Sequence, residues 1–236
     1  MNYSELAAAA RGKMGEWCRA CPVCDGRGCR NHIPGPGAKG VGDVAIRNHD
    51  AWGDLRVNMD TLHDPFVADT SLELFGRELA LPVLVAPVGD VSRHYGPDYD
   101  TLSYNRCVLE AASEFGTIAL TGDGPDESIM REACGLIAKL GGAGIPTIKP
   151  WGASVVADRL RMALEANPVA VAMDVDGAGL PFLRGCVPPA GAKSVADLSR
   201  IARLCDRPFV VKGVMTPQGA EKAVSAGADA IVVSNH

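Results

Sequence analysis

Short apolar runs alternate with amphipathic segments along the chain from Leu81 onward. The runs have the length and composition of buried strands, and the segments between them carry apolar residues at helical spacing. Strands are predicted at Pro82–Val88, Thr117–Thr121, Pro146–Lys149, Val169–Val175, Pro208–Lys212 and Ala230–Ser234. Helices are predicted at Thr101–Phe115, Asp126–Leu140, Ser154–Ala166, Ser194–Cys205 and Pro217–Ala226.

This alternation predicts an α/β protein with a parallel sheet, either doubly wound or closed into a (β/α)8 TIM barrel. No G-x-G-x-x-G follows the first strand, which weakens a dinucleotide-binding interpretation. A closed barrel has eight strands and typically about 250 residues. The chain offers six strands, and no helix follows the last one. We therefore expect a TIM barrel of which this chain holds about six of eight strands, truncated at its C-terminus.

The segment before the first strand has a different composition. Residues 1–61 are rich in Cys, Gly and Pro and include the run PGPGAKGVGD. We expect them to form an extension that packs on the barrel, and residues 62–236 to form the barrel domain.

Composition and charge narrow the function classes. Apolar residues make up 47% and charged residues 22% of the chain, as in ordinary globular proteins. The net charge is −5, which argues against a basic surface that would bind the phosphates of nucleic acid. The chain has neither a long apolar run nor a recognisable signal peptide. We expect a soluble, cytoplasmic protein with no nucleic-acid and no membrane partner.

Four of the eight cysteines lie close together, in a C-x2-C-x2-C-x4-C spacing. Four thiolates could bind zinc or an iron–sulfur cluster, whose ferredoxin motif begins in a similar way. A structural zinc site more often uses two separated C-x2-C pairs, and the same residues could instead form redox-responsive disulfides or simply pack. The residues concerned are Cys18, Cys21, Cys24 and Cys29.

Two ionisable residues stand where successive strands end. The apolar run Phe209–Val211 is followed by Lys212, and Ala230–Val233 is followed by Ser234, Asn235 and His236. Active sites of parallel barrels are built at the carboxyl ends of the strands. A surface lysine and a frayed histidine would explain each residue alone, but their joint placement favours an active site.

A family resemblance is carried by the stretch VVKGVMTPQGAEKAVSAGADAIVVSNH. It resembles the fifth-to-sixth-strand signature of the FMN-dependent α-hydroxy-acid oxidases and dehydrogenases, the family of glycolate oxidase and lactate oxidase. Weaker matches to the first four strands follow in order: DPFVADTSLELFGRELALPVLVAPVG, FGTIALTG, IPTIKPW and AVAMDVD. The resemblance implies an FMN enzyme that oxidises a small-molecule 2-hydroxy acid to a 2-oxo acid, and a homo-oligomer when full length.

The resemblance also implies roles for individual residues. His236 would take the hydroxyl proton while hydride moves to flavin N5, and Asp176 would orient the imidazole. Lys212 would lie near flavin N1, where a cation favours the reduced flavin. Arg184 would bind the substrate carboxylate and Trp151 would contact the substrate. Flavin contacts would come from Pro87, Val88, Gly89, Thr121, Lys149, Lys212 and Ser234.

The sequence departs from the family pattern at the substrate side. Lys149, Pro150 and Trp151 stand where the family usually has Gln, Leu and Tyr, and Asp174 replaces a usual Thr. The tyrosine that often helps to hold substrate has no counterpart near residues 34–42. We therefore expect a substrate pocket unlike that of glycolate oxidase.

Alternative functions remain open at this point. One is another FMN barrel, similar to type 2 isopentenyl diphosphate isomerase, although the Ser-Asn-His sequence argues against it. The other is a metal-binding or redox-sensing protein that works through the N-terminal cysteines. The family's phosphate-binding backbone follows strands seven and eight, so residues 1–236 alone are expected to hold FMN poorly and to be inactive.

Overall fold

A computed structural model of the chain describes residues 2–29, 41–180, 183 and 185–236. Its centre is a five-stranded parallel sheet in which the strands are neighbours in chain order. Sequential order without reversal is the arrangement of consecutive β/α units in a barrel, whereas a doubly wound sheet reverses its order at a switch point. The strands are β3 (Leu120–Thr121), β4 (Ile145–Ile148), β5 (Val171–Asp174), β6 (Phe209–Val214) and β7 (Ala230–Val233).

The predicted strand Pro82–Val88 joins this sheet at a single point. Val85 forms a parallel bridge with Ala119, and its N–H donates to the carbonyl of Ile118 at 3.0 Å. Prolines at positions 82 and 87 have no N–H for a longer ladder, which accounts for the short pairing.

The helices between the strands agree with the predicted bounds to within a single residue. Several begin at a residue whose side chain accepts a hydrogen bond from a backbone N–H of the first turn, as Asp100, Asp126, Ser194 and Thr216 do. The prediction of repeated strand–helix units is confirmed. These helices are α4 (Thr101–Phe115), α5 (Glu127–Lys139), α6 (Ala153–Glu165), α7 (Val195–Leu204) and α8 (Pro217–Ser225).

Side chains that alternate along each strand build two apolar clusters. In β5, Val171 and Met173 pack toward the helices, whereas Ala172 packs on the opposite face. That opposite face is the barrel interior. A hairpin of β1 (Leu72–Leu74) and β2 (Arg77–Leu79) packs Leu79 against it.

The remaining elements precede the sheet in the chain. They are α1 (Tyr3–Arg11), α2 (Val44–Ala51), a 3-10 turn at Trp52–Asp54, and α3 (Val91–Tyr95). The N-terminal part touches the barrel where the Gly15 N–H donates to the Tyr95 carbonyl at 2.8 Å and where Asn48 donates to Asn235 at 2.8 Å. Within the described ranges, no helix combines the length and the apolar character that a membrane span requires.

Candidate active site

Strand alternation brings the predicted basic residues to one place. Ile145, Ala172 and Val210 face the barrel interior, and alternation turns the residues two positions further along, Thr147, Asp174 and Lys212, the same way. Asp174 lies directly opposite Lys212 in the register of β5 and β6. The carboxyl ends of the strands therefore bring a set of charged side chains together.

His236 lies between two carboxylates. Its Nδ1 is 2.8 Å from Oδ2 of Asp176, and its Nε2 is 3.3 Å from Oδ2 of Asp174. The imidazole keeps 25% of its side-chain surface exposed, whereas Asp174 keeps 2%. Asp176 belongs to a 3-10 turn, Val175–Gly179, that follows β5 directly. The predicted meeting of His236 with Asp176 thus takes place in the structure.

Gly213 makes the room for this contact. Its φ of +102° lies in the region that favours glycine, and a Cβ at this position would stand 2.7 Å from Cγ of Asp176. The glycine that follows Lys212 therefore has a steric reason: any larger residue would push Asp176 away from His236.

Asp174 lies at the centre of this cluster, although the sequence analysis noted it only as a departure from the family pattern. Its Oδ2 accepts from Nζ of Lys149 at 2.5 Å, and its Oδ1 accepts from Nζ of Lys212 at 3.1 Å. A buried carboxylate is costly unless opposite charges and hydrogen bonds compensate it. Two lysines from the neighbouring strands β4 and β6 supply that compensation. The sequence did carry a signal for this position. Asp174 precedes Asp176 by two positions at the end of a buried strand, and residues two apart in a strand face the same side.

Asp123 is a second buried carboxylate that the sequence reasoning missed. It follows β3 and accepts from the Trp151 indole N–H at 2.6 Å, from the Lys149 backbone N–H at 3.1 Å and from the Gly124 N–H at 2.8 Å. Burial raises the pKa of Asp123, and these hydrogen bonds, together with Arg159 at 3.6 Å, oppose that effect. The residue ties the end of β3 to the end of β4.

Trp151 requires a correction to its predicted role. Its side chain is fully buried, with 0% exposed, and its N–H is used by Asp123. A side chain enclosed in this way has no surface to offer a substrate. In this structure Trp151 positions Asp123 and does not reach the cavity.

A cavity of about 780 Å³ opens beside these residues. Pro87, Val88 and Gly89 form one side of its wall, and Lys149 and His236 reach it from the strand ends. Its volume lies in the range of ordinary ligand and cofactor pockets. The remaining wall includes α3 with His94 and Tyr95, and apolar groups from Ile129, Leu180 and Leu183.

The other predicted flavin contacts lie at the strand ends but outside the cavity wall. Lys212 is 8% exposed and bound to Asp174, and Thr121 is fully buried, its hydroxyl having no partner among the described residues. The Ser234 hydroxyl is 3.5 Å from the Val232 carbonyl, a weak contact. Arg184 lies outside the described residues.

Oxygen and nitrogen atoms of Asp174, Asp176 and His236 lie within 4.8 Å of one another, a spacing that a metal ion could use. The ammonium groups of Lys149 and Lys212 already occupy both oxygens of Asp174, however, and their charge repels a further cation. Among the described residues, this group therefore has the character of an ion-pair network and not of a metal site.

These features define a parallel β/α-barrel protein with a cluster of charged side chains at the carboxyl ends of its strands. The chain belongs to the family of FMN-dependent dehydrogenases, whose family model matches residues 36–132 and 151–236. FMN is accordingly its cofactor. The cavity fits it, since backbone at Pro87–Gly89, an apolar wall and the side chain of Lys149 line a space of suitable size.

Individual relatives place the chain within this family. It is 28% identical over 240 residues to an L-lactate dehydrogenase of Actinobacillus pleuropneumoniae serotype 5b (strain L20), covering 80% of this chain and 63% of that relative. It is 28% identical over 249 residues to a 4-hydroxymandelate oxidase of Amycolatopsis orientalis, covering 89% of this chain and 68% of the relative. The chain thus spans somewhat under two thirds of the length of the lactate dehydrogenase.

Solved structures confirm the barrel fold. A lactate oxidase of Pediococcus acidilactici superimposes with a TM-score of 0.71 at 21% identity, over 100% of this chain and 66% of that one. A mandelate oxidase determined with (S)-4-hydroxymandelic acid gives a TM-score of 0.69 at 21% identity, over 99% and 70%. The prediction of a TIM barrel represented in part by this chain is confirmed.

Proposed function

We propose that the intact protein oxidises a 2-hydroxy acid to the corresponding 2-oxo acid, with His236 as the base. The observation that carries the proposal is the placement of His236, which reaches the cavity while its Nδ1 contacts Asp176 at 2.8 Å. FMN, when bound, supplies the hydride acceptor at its N5 atom. The relatives named above, a lactate dehydrogenase and a 4-hydroxymandelate oxidase, support this class of substrate.

The contact with Asp176 prepares His236 for proton transfer. A carboxylate at Nδ1 favours the tautomer that carries its proton there, so the lone pair lies on Nε2. Nε2 would then accept the substrate hydroxyl proton as the carbon–hydrogen bond breaks. The imidazolium that forms would be stabilised by Asp176 on one side and by Asp174 on the other.

The two lysines would provide charge stabilisation. Lys149 and Lys212 share the single carboxylate of Asp174, so this buried group of three residues carries a net positive charge. A fixed cation next to the flavin ring favours the reduced form, on which negative charge accumulates. Asp174 would hold both ammonium groups in place and would moderate their charge, which makes it a positioning residue.

The residues that line the cavity indicate the kind of side chain that the substrate carries. Ile129, Leu180 and Leu183 line it, so an apolar or aromatic group on the 2-hydroxy acid would have surface to pack against. We infer a substrate whose side chain is apolar. Arg184 remains the predicted partner of its carboxylate.

Anaerobic flavin reduction tests this function directly. The FMN-loaded intact protein is mixed with a panel of 2-hydroxy acids that range from glycolate to 4-hydroxymandelate, and flavin absorbance is followed. We expect bleaching, faster for acids with an apolar side chain, and one 2-oxo acid formed per flavin reduced. A 3-hydroxy acid is the matched control and should leave the flavin oxidised. If no 2-hydroxy acid bleaches the flavin, the proposal is wrong.

A further inference from the structure

Four thiols in the N-terminal segment have no part in the site described above. Cys18, Cys21, Cys24 and Cys29, here called the cysteine cluster, are all free thiols. Cys24 is exposed and the other three are half-buried. The segment that carries them has no regular helix or strand, so its conformation depends on particular contacts.

Several contacts hold the cysteine cluster in a compact loop. Arg11, at the end of α1, donates through Nε to the Ala20 carbonyl at 3.1 Å, which brings the chain back on itself. Ala20 and Gly26 have positive φ values of 43° and 77°, which turn the chain between the cysteines. Gly28 lies so close to Cys21 that a Cβ would stand 3.1 Å from the sulfur. The backbone of the loop thus packs closely against at least one of its thiols, that of Cys21.

The other end of the loop is anchored to α2. Arg27 donates to both carboxylate oxygens of Asp50, at 3.0 and 2.8 Å, and to Asp25 at 3.1 Å. These contacts join the loop, between its last two cysteines, to a helix 23 residues further along the chain.

The four thiols lie in one short stretch of the chain. All of them stand between residues 18 and 29, and the turns at Ala20 and Gly26 fold the chain between them. Four ionisable thiols gathered in one loop repel each other once they are deprotonated, whereas a bound metal centre removes that cost. The gathering is thus consistent with a metal ligand set.

The spacing of the sulfurs argues against tetrahedral zinc. Tetrahedral zinc with bonds of about 2.3 Å holds its thiolates about 3.8 Å apart. In the described residues, no three of these sulfurs lie within 4.8 Å of one another. A [4Fe–4S] cluster needs wider spacing, because each thiolate binds a different iron. The C-x2-C-x2-C run that begins the cluster is also the start of the bacterial ferredoxin motif.

We propose that the cysteine cluster binds a [4Fe–4S] cluster and that this cluster takes electrons from the reduced FMN. Its position supports the second part. Gly15, three residues before Cys18, donates its N–H to the Tyr95 carbonyl at 2.8 Å, and Tyr95 lines the cavity. The backbones of Gly15 and Gly96 are so close that a Cβ on Gly15 would stand 2.7 Å from Cα of Gly96. The segment that leads into the cysteine cluster therefore contacts the end of α3, a helix that lines the cavity.

The electron balance identifies the class of final acceptor. Oxidation of one 2-hydroxy acid releases two electrons and two protons, and the reduced FMN passes the electrons on one at a time. Each electron takes the iron–sulfur cluster from its 2+ to its 1+ state. A one-electron carrier protein then reoxidises the cluster twice per turnover, while two protons, the one on His236 and the one that arrived at the flavin with the hydride, return to solvent. This electron path rests on the proposed function, whereas metal binding does not.

Anaerobic purification tests the metal centre first. We expect about four iron and four sulfide per intact protein, and a paramagnetic signal after dithionite reduction. Cys21→Ser and Cys24→Ser should each remove most of the iron and keep the FMN, and circular dichroism checks that both variants are folded. Cys107→Ser, a change at an exposed cysteine of α4, is the control and should keep the iron. Zinc in place of iron, or metal-free protein from repeated anaerobic preparations, overturns the proposal.

A second measurement tests the electron path. A 2-hydroxy acid added without oxygen should bleach the flavin and then reduce the iron–sulfur cluster, giving the same paramagnetic signal as dithionite. Bleaching without that signal, in protein of full iron content, overturns the electron path. Full iron content with no bleaching by any 2-hydroxy acid contradicts the proposed function instead, so the two failures can be told apart.

Discussion

The His236 site and the cysteine cluster are built in opposite ways. In the first, contacts join residues far apart in the chain: His236 meets Asp176 across 60 positions, and Lys212 meets Asp174 across 38. In the second, all four candidate ligands lie between residues 18 and 29. The first depends on the barrel to assemble it, whereas the second needs only a correctly turned loop. Changes in the barrel should therefore affect flavin chemistry and leave iron binding intact.

Removing the imidazole gives the sharpest test of this separation. His236→Ala should slow flavin reduction by a factor of about 10² to 10⁴, because the base that accepts the hydroxyl proton is lost. FMN and iron content should stay the same, as measured by absorbance and metal analysis. His63→Ala, a change at an exposed histidine, is the control. Unchanged reduction kinetics in the His236 variant would remove this residue from the mechanism.

Removing the charge of Asp174 should act on stability as well as on chemistry. Asp174→Asn leaves two ammonium groups, 15% and 10% exposed, without their shared counter-ion. Breaking a buried ion pair typically costs about 3 kcal/mol or more, so denaturant unfolding should shift markedly. The flavin potential should rise, because the cations are no longer moderated. Adding Lys149→Met should recover part of the stability, and a double variant no more stable than the single one would contradict this account.

Two glycine-to-alanine variants test whether Gly213 is needed to leave room for Asp176. Gly213→Ala places a methyl group against Asp176 at a backbone φ of +102°, and we expect a loss of about 2 kcal/mol together with slower flavin reduction. Gly135→Ala, in the middle of α5 with nothing near its Cβ, should be neutral or stabilising by up to about 1 kcal/mol. Equal stability of the two variants would show that Gly213 is not under steric constraint.

The smallest expected effect is a pH dependence at the cavity wall. Burial lowers the pKa of His94 in the folded protein, so below about pH 6.5 the unfolded chain binds a proton that folded His94 resists. Stability should therefore fall as the pH drops from 7 toward 5, by less than about 1.4 kcal/mol per pH unit from this residue. Thermal unfolding of His94→Gln should show a shallower slope, whereas His63→Gln should not. An unchanged slope in His94→Gln would exclude this residue as the cause.

The order of secondary structure follows from local patterns. Helix bounds such as Thr101–Phe115 could be predicted because capping residues and apolar periodicity act within a few residues of each other. The first strand was predicted at full length, yet it pairs only at Val85, since pairing depends on the partner strand. The meeting of His236 with Asp176 was predicted through family resemblance, because nothing in the local pattern joins positions 60 apart.

What the sequence determines by itself is the succession of β/α units, the residue types at each strand end and the spacing of the four cysteines. Only the tertiary structure decided that Asp174, and not Asp176 alone, faces His236, and that Asp174 holds Lys149 and Lys212 together. It also decided that Trp151 is enclosed with Asp123 instead of facing a ligand. Whether a side chain is buried, and which opposite charge compensates it, depends on the residues that lie across the barrel. Those residues come from strands β3 to β7, so no single segment of the sequence specifies them.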